Sequence, residues 1–93
     1  MYESYINEVV TVLSNTGEIV GRLEKVGERY LTLKEPRLFV MGEQGTGFAQ
    51  GISLTSQMNP PSADIQMSSV ITVLPSNQEV QEGWMQQTSG IVM

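Results

Sequence analysis

The side chains able to do chemistry in this 93-residue chain are few, and the basic ones are clustered. Histidine and cysteine are absent. That removes imidazole acid–base catalysis, thiol nucleophiles, disulfides and Cys/His zinc sites. Asp64 is the single aspartate among ten acidic residues. Asp, Glu, Lys, Tyr, Ser and Thr remain, and they suggest no catalytic constellation. The chain is expected not to be an enzyme and to need no metal or cofactor. All five cations, Arg22, Lys25, Arg29, Lys34 and Arg37, lie within 22–37, beside Glu24, Glu28 and Glu35. This segment carries +2 while the whole chain carries −5. Such a cluster suits either a local phosphate-binding patch or a solvated strand pair of mixed charge. A globally acidic chain is a poor nonspecific nucleic-acid binder, because backbone affinity comes from counterions released by Lys and Arg.

The elements that must position these residues are mostly strands. Glu8–Leu13 is β-branched and ends at the turn signal Ser14-Asn15-Thr16-Gly17. Ile19, Gly21 and Leu23 alternate with Val20, Arg22 and Glu24, which predicts a half-buried second strand. A glycine inside a strand marks a bulge, a sharp bend or a close backbone approach, and Gly21 is read as a bend. Arg29–Lys34 predicts a third strand, which Leu38–Met41 continues. Pro36, unable to donate a ladder hydrogen bond, is expected at an edge or a bulge. Gly42–Gly47 reads as a loop tip, with a return arm over Phe48–Ser56 ended by Asn59-Pro60-Pro61-Ser62. Ile65 and Met67 flank Gln66 in a short strand, and Val70–Leu74 is the strongest β signal. Ser76-x-x-Glu79 fits a capping box, predicting a helix over Asn77–Gln87 with Val80 and Trp84 on one face. The apolar tail Ser89–Met93 is expected to dock on the barrel or on a neighbour.

This length predicts one domain, 1–93, able to bury roughly 60–65% of its unfolded surface. The polar start Tyr2-Glu3-Ser4-Tyr5 does not read as a signal peptide, and no apolar run approaches bilayer-spanning length. A soluble protein of the cytoplasm, without a membrane partner, is expected.

Gly21-Arg22-Leu23, then Gly27, then Tyr30-Leu31-Thr32-Leu33-Lys34 resembles the first Sm motif of Sm, Lsm and Hfq proteins. Val70-Ile71-Thr72-Val73-Leu74-Pro75 is similar to the last strand of Hfq. The run Trp84–Ile91 resembles the C-terminal end of small Sm-like proteins of marine tailed phages, which implies action in a host cytoplasm. The resemblance implies an all-β fold: a small, strongly bent, five-stranded Sm-like barrel with an extended strand 3–4 hairpin arm and a short C-terminal helix. It divides the chain into a first Sm motif region (8–34), a variable arm (36–62), the last two strands (63–75) and the helix (76–88). It further implies a homo-oligomeric ring of about five to seven subunits, joined through edge strands. Ile65, Met67, Val70, Thr72 and Leu74 are the interface residues so implied.

Single-stranded RNA sites in this family occupy the loops between strands two and three and between strands four and five. Carried over, they fall on Glu28, Arg29 and Tyr30 in the first loop and on Met67 and Ser68 in the second. The chain departs from the motif here. Gly27 stands where the motif has Asp, Leu31 where Sm proteins have Asn, and Met67-Ser68-Ser69 where the family has a cation. Arg29 and Tyr30 are left to supply a cation and a stacking plane; the alternatives are a salt bridge for Arg29 and a core or interface place for Tyr30. Two readings follow: a ring that binds single-stranded RNA in RNA metabolism or regulation, or a structural or interaction hub of phage origin that takes a protein partner through the arm.

Overall fold

The computed structural model describes residues 1–53 and 55–88. The expectation for the tail therefore lies outside the described residues. Among the described residues six strands form one antiparallel sheet: β1 Val9–Ser14, β2 Gly17–Val26, β3 Tyr30–Gly42, β4 Gly45–Phe48, β5 Ser62–Gln66 and β6 Val70–Pro75. A helix, α1 Gln78–Thr88, follows, and 3₁₀ turns occupy Glu3–Tyr5 and Met67–Ser69. The strand order is β4-β3-β2-β1-β6, with β5 also paired to β3. The fold is all-β with one terminal helix, as expected. The expected closure into a barrel is not seen: among the described residues β5 pairs only with β3 and β6 only with β1, so the sheet is open. A sixth strand, β4, is present.

Apolar alternation along the strands explains where the core sits. Val10, Val12, Ile19, Leu23, Leu31, Leu33, Ile65 and Val73 form one buried cluster. The sheet curls far enough for Ile65 of β5 and Val73 of β6, on opposite edges, to join the same core. The outer face carries a second cluster of Val9, Val20 and Trp84, flanked by Phe39, Phe48 and Val80. Val80 and Trp84 do share a helix face, and α1 packs there.

The bend is built at Gly21. Val20 pairs with Arg37 and Arg22 with Lys34, so Gly21 on β2 faces two residues, Glu35 and Pro36. Two residues against one is a β-bulge, which kinks the bulged strand. A Cβ on Gly21 would lie 3.0 Å from the Lys34 carbonyl oxygen and 3.2 Å from Leu33 Cβ. Both sequence expectations meet here: Pro36 sits at a bulge, and Gly21 permits the close approach. Glu35 takes the left-handed conformation, φ 50°. Beyond the kink β3 exchanges its partner, pairing with β5 over Tyr30–Lys34 and with β4 over Phe39–Gly42.

Two local expectations are corrected. The return arm is ordered as a strand only over Gly45–Phe48, shorter than the predicted Phe48–Ser56 and shifted toward the tip. The tip turn closes early at Gly45 (φ 111°), and residues 49–53 and 55–61 are irregular around Gly51, Pro60 and Pro61. The capping box does not form. Asn77 Oδ1 accepts the Val80 N–H at 2.8 Å, so Asn77 is the N-cap. The Ser76 hydroxyl instead pairs with the Thr11 hydroxyl at 2.7 Å, anchoring the helix entry to β1.

Candidate nucleic-acid interface

The turn joining β2 to β3 is held by the Gly27 N–H donating to the Tyr30 carbonyl at 2.9 Å. A Cβ on Gly27 would lie 3.2 Å from that oxygen, a physical reason for glycine where the resemblance expects Asp. The β5–β6 connection is the 3₁₀ turn Met67–Ser69. The Met67 N–H donates to the Arg29 carbonyl at 2.7 Å, so the two loops are tied together. Glu28, Arg29, Tyr30, Gln66, Met67 and Ser68 line one open concavity of about 600 Å³. All five residues assigned to RNA from the sequence are thus brought together.

Tyr30 is 47% exposed and Arg29 is exposed. Within the chain Tyr30 is no core residue, and among the described residues no carboxylate lies within salt-bridge distance of Arg29. Gln66 is the lining residue that the sequence reading missed. It is the register partner of Tyr30 across β3 and β5, and directly opposed antiparallel residues project on the same face. The Ser68 hydroxyl donates to Gln66 Oε1 at 3.5 Å, a long contact that leaves the amide N–H₂ free to turn outward. The alternation Ile65-in, Gln66-out was a signal for an outward Gln66; its partner on β3 was not readable.

No family model and no curated protein matches the chain. Among solved structures it is similar to a chain of "Crystal structure of the NatC complex bound to CoA", with a TM-score of 0.55 and 18% identity, over 88% of this chain and 92% of that one. At this identity the likeness is one of fold alone.

The basic cluster does not form a continuous patch. Arg37, 3% exposed, bonds the Glu35 carboxylate at 3.2 Å and the Pro36 carbonyl at 2.9 Å. Arg22 donates to the Asn7 carbonyl at 2.7 Å and lies 5.4 Å from the Trp84 ring centroid. Two of the five cations therefore hold the fold. Lys25, Arg29 and Lys34 stay exposed, and only Arg29 lines the concavity.

The residues expected at a subunit interface lie on or beside the edge strands β5 and β6. Ile65 points into the chain's own core, so β5 presents its backbone more than that side chain. Met67, Val70 and Thr72 are half-buried and Leu74 is 48% exposed. Ile71, 68% exposed, is the more exposed apolar group on β6 and was missed. Val70 pairs with Ser14 and Thr72 with Leu13, so Ile71 falls in a bulge that breaks strict alternation. No described helix is long and apolar enough to cross a membrane.

Proposed function

We propose that the chain is an Sm-like ring subunit that holds single-stranded RNA at the concavity between Glu28–Tyr30 and Gln66–Ser68, acting in the cytoplasm, that of a host if the chain is phage-encoded. The observation that carries this reading is the Met67–Arg29 backbone bond. It joins two loops that are remote in sequence, and every RNA residue implied by the Sm resemblance lines the resulting hollow. The open edges of β5 and β6 support the ring, since an unpaired edge is a template for a neighbouring strand. Light scattering to measure the mass in solution, joined to a titration with short U-rich and A-rich RNAs at low and moderate salt, tests both parts. A multimer that binds in the micromolar range or tighter supports the reading; a monomer, or no binding at low salt, overturns it.

A second reading is an interaction ring without RNA, as part of a phage assembly or host regulator. It draws on the net charge of −5, the single cation in the hollow, and the arm, where Met41 is 81% exposed beside exposed Val40. A ring that ignores RNA but retains one defined protein, and loses it on Met41→Glu, favours this alternative.

A further inference from the structure

The concavity is chemically unlike a phosphate site. Its charged groups are Glu28 and Arg29, which cancel. What it offers instead is a flat ring with an amide beside it. Tyr30 and Gln66 are locked as cross-strand partners by the β3–β5 register, so the spacing of ring and amide is set by the sheet rather than by loop conformation. An exposed tyrosine face is a platform on which any base can stack. An amide at its flank reads a base edge, because Gln supplies one acceptor and two donors in one plane.

Resting on the RNA reading above, we infer that Gln66 and Glu28 make the Tyr30 platform selective for a base carrying an exocyclic amine, adenine in preference to uracil. Gln pairs bidentately with adenine, donating to a ring nitrogen and accepting from the amino group. That geometry alone does not reject uracil, whose N–H and carbonyl also match an amide. Glu28 makes the difference. Its carboxylate only accepts, so it favours an amino group and repels the two carbonyl oxygens of uracil. Stacking on Tyr30 adds a purine bias. Arg29, the lone cation of the hollow, is left for the phosphate linking successive bases.

The test uses the full-length protein with short fluorescent oligo(A) and oligo(U), read by anisotropy, with Gln66→Leu and Glu28→Gln as variants. Both positions are exposed, and circular dichroism with light scattering checks that each variant keeps the wild-type fold and mass. The expected result is oligo(A) binding about tenfold tighter than oligo(U), with the preference largely removed in Glu28→Gln and reduced, with weaker oligo(A) binding, in Gln66→Leu. Equal affinities, a uracil preference, or an adenine preference left undiminished by Glu28→Gln overturns the inference while leaving RNA binding standing. Binding of neither oligomer overturns this inference and the RNA reading together.

Discussion

The indole N–H of Trp84 donates to the backbone carbonyl of Glu35 at 2.9 Å. One end of this bond is the single large buried side chain of α1; the other is the left-handed residue at which β3 kinks. The Glu35 N–H donates to the Pro61 carbonyl at 2.8 Å, and its carboxylate takes Arg37. Helix, kink and the irregular segment leading to β5 therefore meet at one residue.

Trp84→Phe keeps most of the apolar area and removes the hydrogen bond and part of the attraction for Arg22. A loss of about 1–2 kcal/mol is expected. Trp84→Ala also empties the cluster with Val9 and Val20, for about 3–5 kcal/mol. Urea unfolding of both variants measures the difference.

Gly21→Ala forces a methyl group against the Lys34 carbonyl and Leu33 Cβ, where neither backbone nor buried side chain has room to move. The expected cost is about 1–3 kcal/mol. Gly47→Ala, with nothing within 4 Å of the added methyl and no positive φ, is the neutral control. Thermal melts of the pair separate crowding from a general intolerance of alanine.

Asn77→Ala removes the helix cap and should cost about 1 kcal/mol. Ser76→Ala strands the Thr11 hydroxyl and is expected to cost a similar ~1 kcal/mol by a different route, so the double variant Thr11→Val with Ser76→Ala should recover part of it. Chemical denaturation of the three proteins decides whether Ser76 belongs to the helix or to β1.

If the ring forms through β6, Ile71→Lys and Leu74→Lys together should yield monomers that keep their far-UV spectrum, because both side chains are exposed in the single chain. Light scattering reads the outcome. An unchanged multimer would place the subunit contact elsewhere.

For RNA, Tyr30→Ala is expected to lose about 1–3 kcal/mol of binding per stacked base. Arg29→Ala should lower the slope of log affinity against log salt by about 0.7 for each subunit engaged. Anisotropy titrations at several salt concentrations measure both. A slope unmoved by Arg29→Ala would remove that side chain from the phosphate contact.

What the sequence made legible was local. Period-two alternation located the main strands, Gly21 marked the bend, and the four-residue spacing of Val80 and Trp84 identified the packed helix face. What it concealed depended on partners remote along the chain. Ser76 had a cap role available three residues on, but the Thr11 hydroxyl, 65 residues away, claims it. Arg22 and Arg37 looked like members of a basic patch because no pattern announces that Trp84 and Glu35 will engage them. Gln66 was visible as an outward residue, yet its value comes from standing opposite Tyr30, and a register between strands more than thirty residues apart is written in no single segment.

The exchange of partners along β3 has an engineering consequence. Because β5 occupies the stretch before the kink and β4 the stretch after it, the hairpin tip at Glu43–Gln44 lies at the end of β3 remote from Tyr30 and the concavity. Cargo spliced into that tip, such as a fluorophore, an affinity tag or a tethered enzyme, would stand clear of the hollow, and if the proposed ring forms, the chain becomes a display scaffold whose valency equals the number of copies in it.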